Sequence, residues 1–193
     1  MCAASTWAAN PPQPRVKLTE RKGQLLTFDL DFGFYEIRDA RASMDERFPA
    51  VRLPASVMKN GHSRPEIDFA LPVLRDQTMK SVQDTIAGRS TASPVPARPN
   101  VRIVALEPVR GRRSLRIAHG ELWIDEAVAV RFSLMRSKWS ADPEHWWIGY
   151  PSQWRASQKR WNDLFIVKDK AFRKHIAQLA RETYLQRYGD ESE

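Results

Sequence analysis

Apolar and polar residues alternate along residues 24–44, QLLTFDLDFGFYEIRDARASM, and again along 112–136, RRSLRIAHGELWIDEAVAVRFSLMR. A period of two is that of a half-buried strand. In the second run Leu115, Ile117, Leu122 and Ile124 are expected to point one way, with Val128, Val130, Phe132 and Leu134 continuing on a following strand. A short strand comes next in each case, FPAVRLP or WWIGYP, stopped by proline. A polar loop follows, then a further short strand, EIDFAL or DLFIV. A helix closes each series. The second runs from about Asp169, a good N-cap, to about Arg187, with Phe172, Ile176, Leu179 and Thr183 on one face. The first runs from about Leu74 to Ala87, with Met79, Val82 and Ile86 inward. An extra strand, NVRIVALEP, opens the second series, and its counterpart near RVKLTE is weaker.

The two series superpose at a shift of 97 residues. Tyr35 and Ile37 fall on Phe132 and Leu134; Val51, Leu53 and Pro54 on Ile148, Tyr150 and Pro151. Ile67 and Phe69 fall on Leu164 and Ile166; Met79 and Val82 on Ile176 and Leu179. Few letters are shared, so it is the apolar pattern that repeats. Between the copies lies GRSTASPVPARPN, whose prolines and small residues read as a linker over 88–100. The expected fold class is therefore α+β. It has two tandem units, 15–87 and 101–188, each a small antiparallel β-sheet with a C-terminal helix, packed as an intrachain pseudo-dimer. Residues 1–14 and 189–193 are expected to be tails.

The first unit carries IRDARASMDERFPAVRLPASVMKNGHSRPEIDFALPVLRDQTMKSVQDTI. It resembles the SpoVG family of small bacterial proteins in its Ile37-Arg38 strand end, Leu53-Pro54, Asn60-Gly61 turn, Pro72-Val73 pair and helix around Met79. The second unit resembles the same pattern through VRIVALEP, GRRSLRIAHGEL and Tyr150-Pro151, but lacks the Asn-Gly turn and has Lys168-Asp169 in place of Pro-apolar. The resemblance implies single-unit homodimers paired through their sheets that bind DNA and RNA as regulators. A tandem copy would then be a covalent dimer, its two sheets pairing edge to edge.

Charge agrees with an anionic partner. The net charge is +8, and residues 98–193 carry 18 lysines and arginines against 12 acidic residues, where residues 1–97 carry 13 against 11. Such a balance suggests a polyanionic partner such as DNA, RNA or an acidic protein surface, the alternative being a solvated surface that happens to be basic. Four of seven tryptophans sit in EHWWIGYPSQWRASQKRW, residues 144–161. Trp146 or Trp147 is expected under the second helix. Trp154, with Arg155, Lys159 and Arg160 beside it, suits base stacking with phosphate contact as well as it suits a lid on the core. Trp161 leads into a strand and is expected to be core. Lys168, Lys170, Arg173 and Lys174 crowd the start of the second helix, where a phosphate would relieve their repulsion with the helix dipole; the alternative is solvated lysines tolerated at small cost. Arg112 and Arg113, with Arg110, flank Gly111 in a hairpin turn and are candidates for phosphate contact.

The remaining chemistry is thin. His62, His119, His145 and His175 have no ligand spacing, and Cys2 is the only cysteine, so no metal, disulfide or other cofactor is expected. Asp29 and Asp31 share a strand face, which is commoner as a solvated face than as a metal site. The letters DFG at 31–33 lie inside a strand pattern, without the other parts of a kinase. No phosphate loop or nucleophile elbow is present, and no enzyme is expected. No apolar run approaches the ~20 residues of a membrane span, nor does the start read as a secretory signal, so a cytoplasmic protein is expected. The leading expectation is a SpoVG-like nucleic-acid-binding regulator, bacterial or phage, that works mainly through phosphate contacts of the second unit. The alternative is a protein-interaction module, an adaptor or inhibitor, using the tryptophan-rich loop.

Overall fold

The computed structural model describes residues 13–44, 50–57, 60–89, 98–110, 114–140 and 142–189. The first sheet is built from β1 (Arg15–Lys22), β2 (Leu25–Asp31) and β3 (Tyr35–Ser43), in that order and antiparallel, with β4 (Val51–Arg52) on part of β3. A separate hairpin, β5 (Ala55–Val57) and β6 (Ser63–Pro65), follows, then β7 (Ile67–Phe69) and α1 (Pro72–Ile86). The second series repeats the plan. β8 (Val101–Pro108), β9 (Arg116–Ile124) and β10 (Val128–Met135) form a sheet with β11 (Trp147–Gly149) on part of β10. A hairpin of β12 (Ser152–Arg155) and β13 (Arg160–Asp163) precedes β14 (Phe165–Val167) and α2 (Lys170–Tyr188). Two tandem β-sheet units, each followed by a helix, are thus the architecture, and it is α+β.

The units are joined by an exchange rather than edge to edge. β14 of the second series pairs with β3 of the first, Phe165 opposite Ile37 and Val167 opposite Tyr35. β7 of the first pairs with β10 of the second, Ile67 opposite Val130 and Phe69 opposite Val128. The helices then return, α1 to β1 and β4, α2 to β8 and β11. Because each sheet is completed by the other series, the buried side chains form one continuous core.

The exchange also corrects the repeat. Burial aligns Ile67 and Phe69 with Phe165 and Val167, and Leu74, Thr78 and Val82 with Phe172, Ile176 and Ala180, a shift of 98 rather than 97. In the long strands the shift is smaller, since Ala42 and Leu134 occupy matching places beside Val51 and Ile148. The difference is taken up in the connections after β3 and β10 and in the hairpins that follow, while within β3 a bulge inserts Asp39 opposite β2. Asp39 adopts φ 58° there, a conformation Asp tolerates better than most residues.

β1 is a full strand, although its sequence signal is weak. β9 runs without a break through His119-Gly120, and this fixes its parity. Ala118, Leu122 and Ile124 are buried, while Ile117 lies on the opposite face with His119, Glu121 and Trp123, and Leu115 is exposed. A single face for Leu115, Ile117, Leu122 and Ile124 is therefore incorrect. Gly120 is required inside this strand because Phe132 lies over it. A Cβ there would meet the Phe132 ring at 2.4 and 2.6 Å and the Ala105 carbonyl at 2.9 Å. Gly120→Ala is expected to destabilise by roughly 1–3 kcal/mol, with Phe132→Leu recovering part of the loss. Urea denaturation of the single and double variants measures both.

Asp169 caps α2 as expected, its Oδ1 accepting from the Phe172 amide at 2.6 Å. The inward face is Phe172, Ile176, Ala180 and Tyr184; Leu179 and Thr183 are only half-buried. Spacing of four, rather than three, decided that stripe. In α1 the buried set is Leu74, Thr78, Met79, Ser81 and Val82, and Ile86 at the C-terminal end is exposed. Among the described residues no helix is long and apolar enough to cross a membrane.

Candidate nucleic-acid interface

The segment of 144–161 that concentrates tryptophan divides into a buried and an exposed part. Trp146 packs edge-on against Tyr184 of α2, ring centres 5.6 Å apart, so it is the ring under the helix. Trp147, the next residue of an extended segment, faces outward and is half exposed. Trp154 and Trp161 stand directly opposite each other in β12 and β13. Their rings meet edge to face at 5.8 Å, and they are 50% and 66% exposed. Trp161 is therefore not core: a strand of a free-standing hairpin has no core to enter.

The other face of the same hairpin is fastened down. Arg155 forms an ion pair with Asp39 of β3, and Asn162 Nδ2 donates to the same carboxylate at 3.2 Å. The Asp39 amide in turn donates to Asp29 Oδ1 at 3.2 Å. Alternation along β12 and β13 puts Arg155 and Asn162 behind, Trp154 and Trp161 in front. Arg155, predicted to grip phosphate, is paired with Asp39 behind the aromatic pair. A double-mutant cycle of Arg155→Met and Asp39→Asn, followed by thermal unfolding, is expected to give a coupling of about 1–2 kcal/mol. Partial exposure keeps it below that of a buried pair.

In front of the tryptophans lies a groove of about 800 Å³. β7 pairs with Val128–Val130 and β11 with Ser133–Met135, so the groove opens where β10 passes from one partner to the next. The outward residues His119, Arg131 and Ser133 and the nearby Arg116 line it from the second sheet. The β12–β13 hairpin supplies Trp154 and Trp161, and the β5–β6 hairpin supplies Ser56, Val57 and Arg64. Three arginines thus converge from β6, β9 and β10, and among the described residues none of the three has a salt bridge. Glu66 lines the groove with them and accepts from Ser56 Oγ at 2.5 Å, and Glu121, opposite Arg131, accepts from Trp123 Nε1 at 2.8 Å. Partial burial holds the His119 imidazole below its ordinary pKa, and Arg116 and Arg64 add to the effect. Glu107 and Glu66 oppose the shift, and Nδ1 lies 3.3 Å from Ser133 Oγ.

The other expected cations lie elsewhere. Lys159 sits in the turn of the second hairpin at φ 48°, and Arg160 donates to Gln158 Oε1 at 3.0 Å. Lys168 Nζ binds Asp31 Oδ1 at 2.5 Å, and Arg173 donates to the Val167 carbonyl. Burial raises the Asp31 pKa, but the Lys168 and Gly33 hydrogen bonds outweigh it and the net shift is downward. Lys170 and Lys174 are exposed on α2. At the start of α2 the Asp169 carboxylate already holds the Phe172 amide that a phosphate would seek. Arg112 and Arg113 lie outside the described residues. Arg64, Arg116, Arg131 and His119 were not singled out by the sequence. They are far apart along the chain, and only the outward parity of β9 and β10 would have linked them.

Fold and groove together define a class: a tandem α+β protein whose two hairpins frame a cationic, tryptophan-walled cleft. No family model, no curated protein and no solved structure matches the chain.

Proposed function

We propose that this protein binds nucleic acid in the groove between its two hairpins. One observation carries the reading: Arg64, Arg116 and Arg131, without ion-pair partners among the described residues, meet two exposed tryptophans in one cleft. Cations held against low-dielectric walls attract phosphate, and indole faces offer a surface for bases. The likeness of the first unit to the SpoVG pattern points to the same class of ligand and to a regulatory role. The net charge of +8 supports it further. Electrophoretic mobility shifts with single- and double-stranded DNA and RNA at low and physiological salt test the reading. Affinity is expected to fall steeply as salt rises, because each neutralised phosphate releases counterions. Failure of every nucleic acid to bind at low salt rejects it.

The helix-start cations serve as an internal control. Lys170→Glu with Lys174→Glu is expected to change affinity less than about threefold, since these exposed charges lie outside the groove and are screened by salt. The same mobility shifts measure it. A second reading, a protein-interaction module, draws support from Trp139, which is 85% exposed beneath the Lys138 ammonium. Aromatic residues of that kind anchor protein interfaces.

A further inference from the structure

The groove sets which form of nucleic acid it takes. We infer that the ligand is an unpaired strand, its bases stacked on Trp154 and Trp161 and its backbone over Arg64, Arg116 and Arg131. This inference rests on the function proposed above.

Three observations lead to it. The first is the tryptophan pair. Edge-to-face contact at 5.8 Å leaves indole face uncovered, and both rings are at least half exposed. A base can lie on such a face only if its own face is free; in a duplex those faces are buried in the stack and only edges are presented. The second is size and enclosure. About 800 Å³ between two hairpins is within the range of sites that enclose one drug-sized molecule, which is the scale of a nucleotide or two of one strand. The third is the arrangement of charge. Arg131 faces position 121 and Arg116 faces position 135, so they lie four residues apart along β10, about 13 Å at strand rise. Arg64 lines the same cleft from β6, in the other hairpin. A single backbone can run between the arginines with its bases turned to one wall. His119, one nitrogen toward Ser133, adds a ring group that can hydrogen-bond a sugar hydroxyl or base edge. Behind the rings, Arg155 and Asn162 hold the hairpin on Asp39, so the stacking surface is formed before the ligand arrives.

The test titrates the full chain with fluorescent oligothymidylate, oligouridylate, a DNA duplex of equal length, and polyphosphate as a charged polymer without bases. Binding is read by anisotropy, and stacking by quenching of tryptophan emission. Tight binding of the unpaired strands is expected, at least tenfold above the duplex and polyphosphate, with quenching by the strands alone. Comparing the two strands shows whether the sugar is read. Trp154→Ala and Trp161→Ala should each weaken strand binding about tenfold, while the Phe variants retain most of it, which separates stacking from loss of the hairpin. The salt slope should be near −0.7 per phosphate contacted. If duplex binds as well as single strand and the tryptophan variants are silent, the inference fails but nucleic-acid binding stands. Equal binding of polyphosphate with no quenching also overturns it. Failure of every nucleic acid to bind overturns both.

Discussion

Replacing Arg64, Arg116 and Arg131 together with glutamine is expected to weaken oligonucleotide binding about a hundredfold at 0.1 M salt. The magnitude follows from counterion release. Each phosphate neutralised on a single strand contributes roughly 0.7 to the slope of log affinity against log salt. Loss of three contacts reduces the slope by about 2, and between 0.1 M and 1 M that corresponds to about two decades. Glutamine keeps much of each stem, and none of the three guanidinium groups has a salt bridge among the described residues. Stability should therefore change by less than about 0.5 kcal/mol. Loss of affinity with the melting temperature unchanged separates a binding role from a structural one. A triple variant that binds normally, with an unaltered slope, removes the groove from the function.

Much of the fold can be read from the alternation of residues 24–44 and 112–136 and from the helix that closes each copy. Those signals are strong because one face of each element is buried. Asp169 could be identified as a cap because its chemistry is local. Three features carried weaker signals. The parity of β9 was obscured by His119-Gly120, which has the look of a turn, yet Gly120 is there because Phe132 fills the space of a side chain. The hairpins β5–β6 and β12–β13 read as polar loops because neither buries a face. The Asn60-Gly61 pair is the turn signal that marks the first of them. The strand exchange has no sequence signal at all, since a three-residue strand buries the same side chains in either sheet.

The candidate site was legible to the same degree. Trp154 and its basic neighbours drew attention to the second hairpin, but the division of labour within it depends on pairing. Trp154 and Trp161 face forward because they are directly opposed, and Arg155 faces back because it is one residue on. The cluster at Lys168–Lys174 attracts notice because four cations fall within seven residues. Charge density along a chain is not charge density in space, however. Two of those four are engaged by Asp31 and the Val167 carbonyl, while the arginines of the groove are gathered from three strands.

Cutting the chain within residues 90–97 is expected to leave both halves bound to one another in a native complex, whereas either half made alone should not fold as a monomer. The argument lies in the exchanged strands. β7 carries Ile67 and Phe69 into the second sheet, and β14 carries Phe165 and Val167 into the first; all four are buried. Burying a large apolar side chain contributes about 1.5–3 kcal/mol. Four of them amount to roughly 6–12 kcal/mol, comparable with the whole stability of a domain at 5–15 kcal/mol. A half without its partner loses the incoming strand and exposes its own, with β3 or β10 left as a bare edge. With a protease site placed in 90–97, the cut protein should elute at the mass of the uncut chain and separate only in denaturant. Its melting temperature should become dependent on protein concentration, because the linker no longer supplies an effective concentration of its own. Two folded, separable monomers after cutting would show that the exchange does not hold the units together. Persistence of oligonucleotide binding in the cut complex would follow directly, since the groove takes Arg64 from one half and Trp154, Trp161, Arg116 and Arg131 from the other.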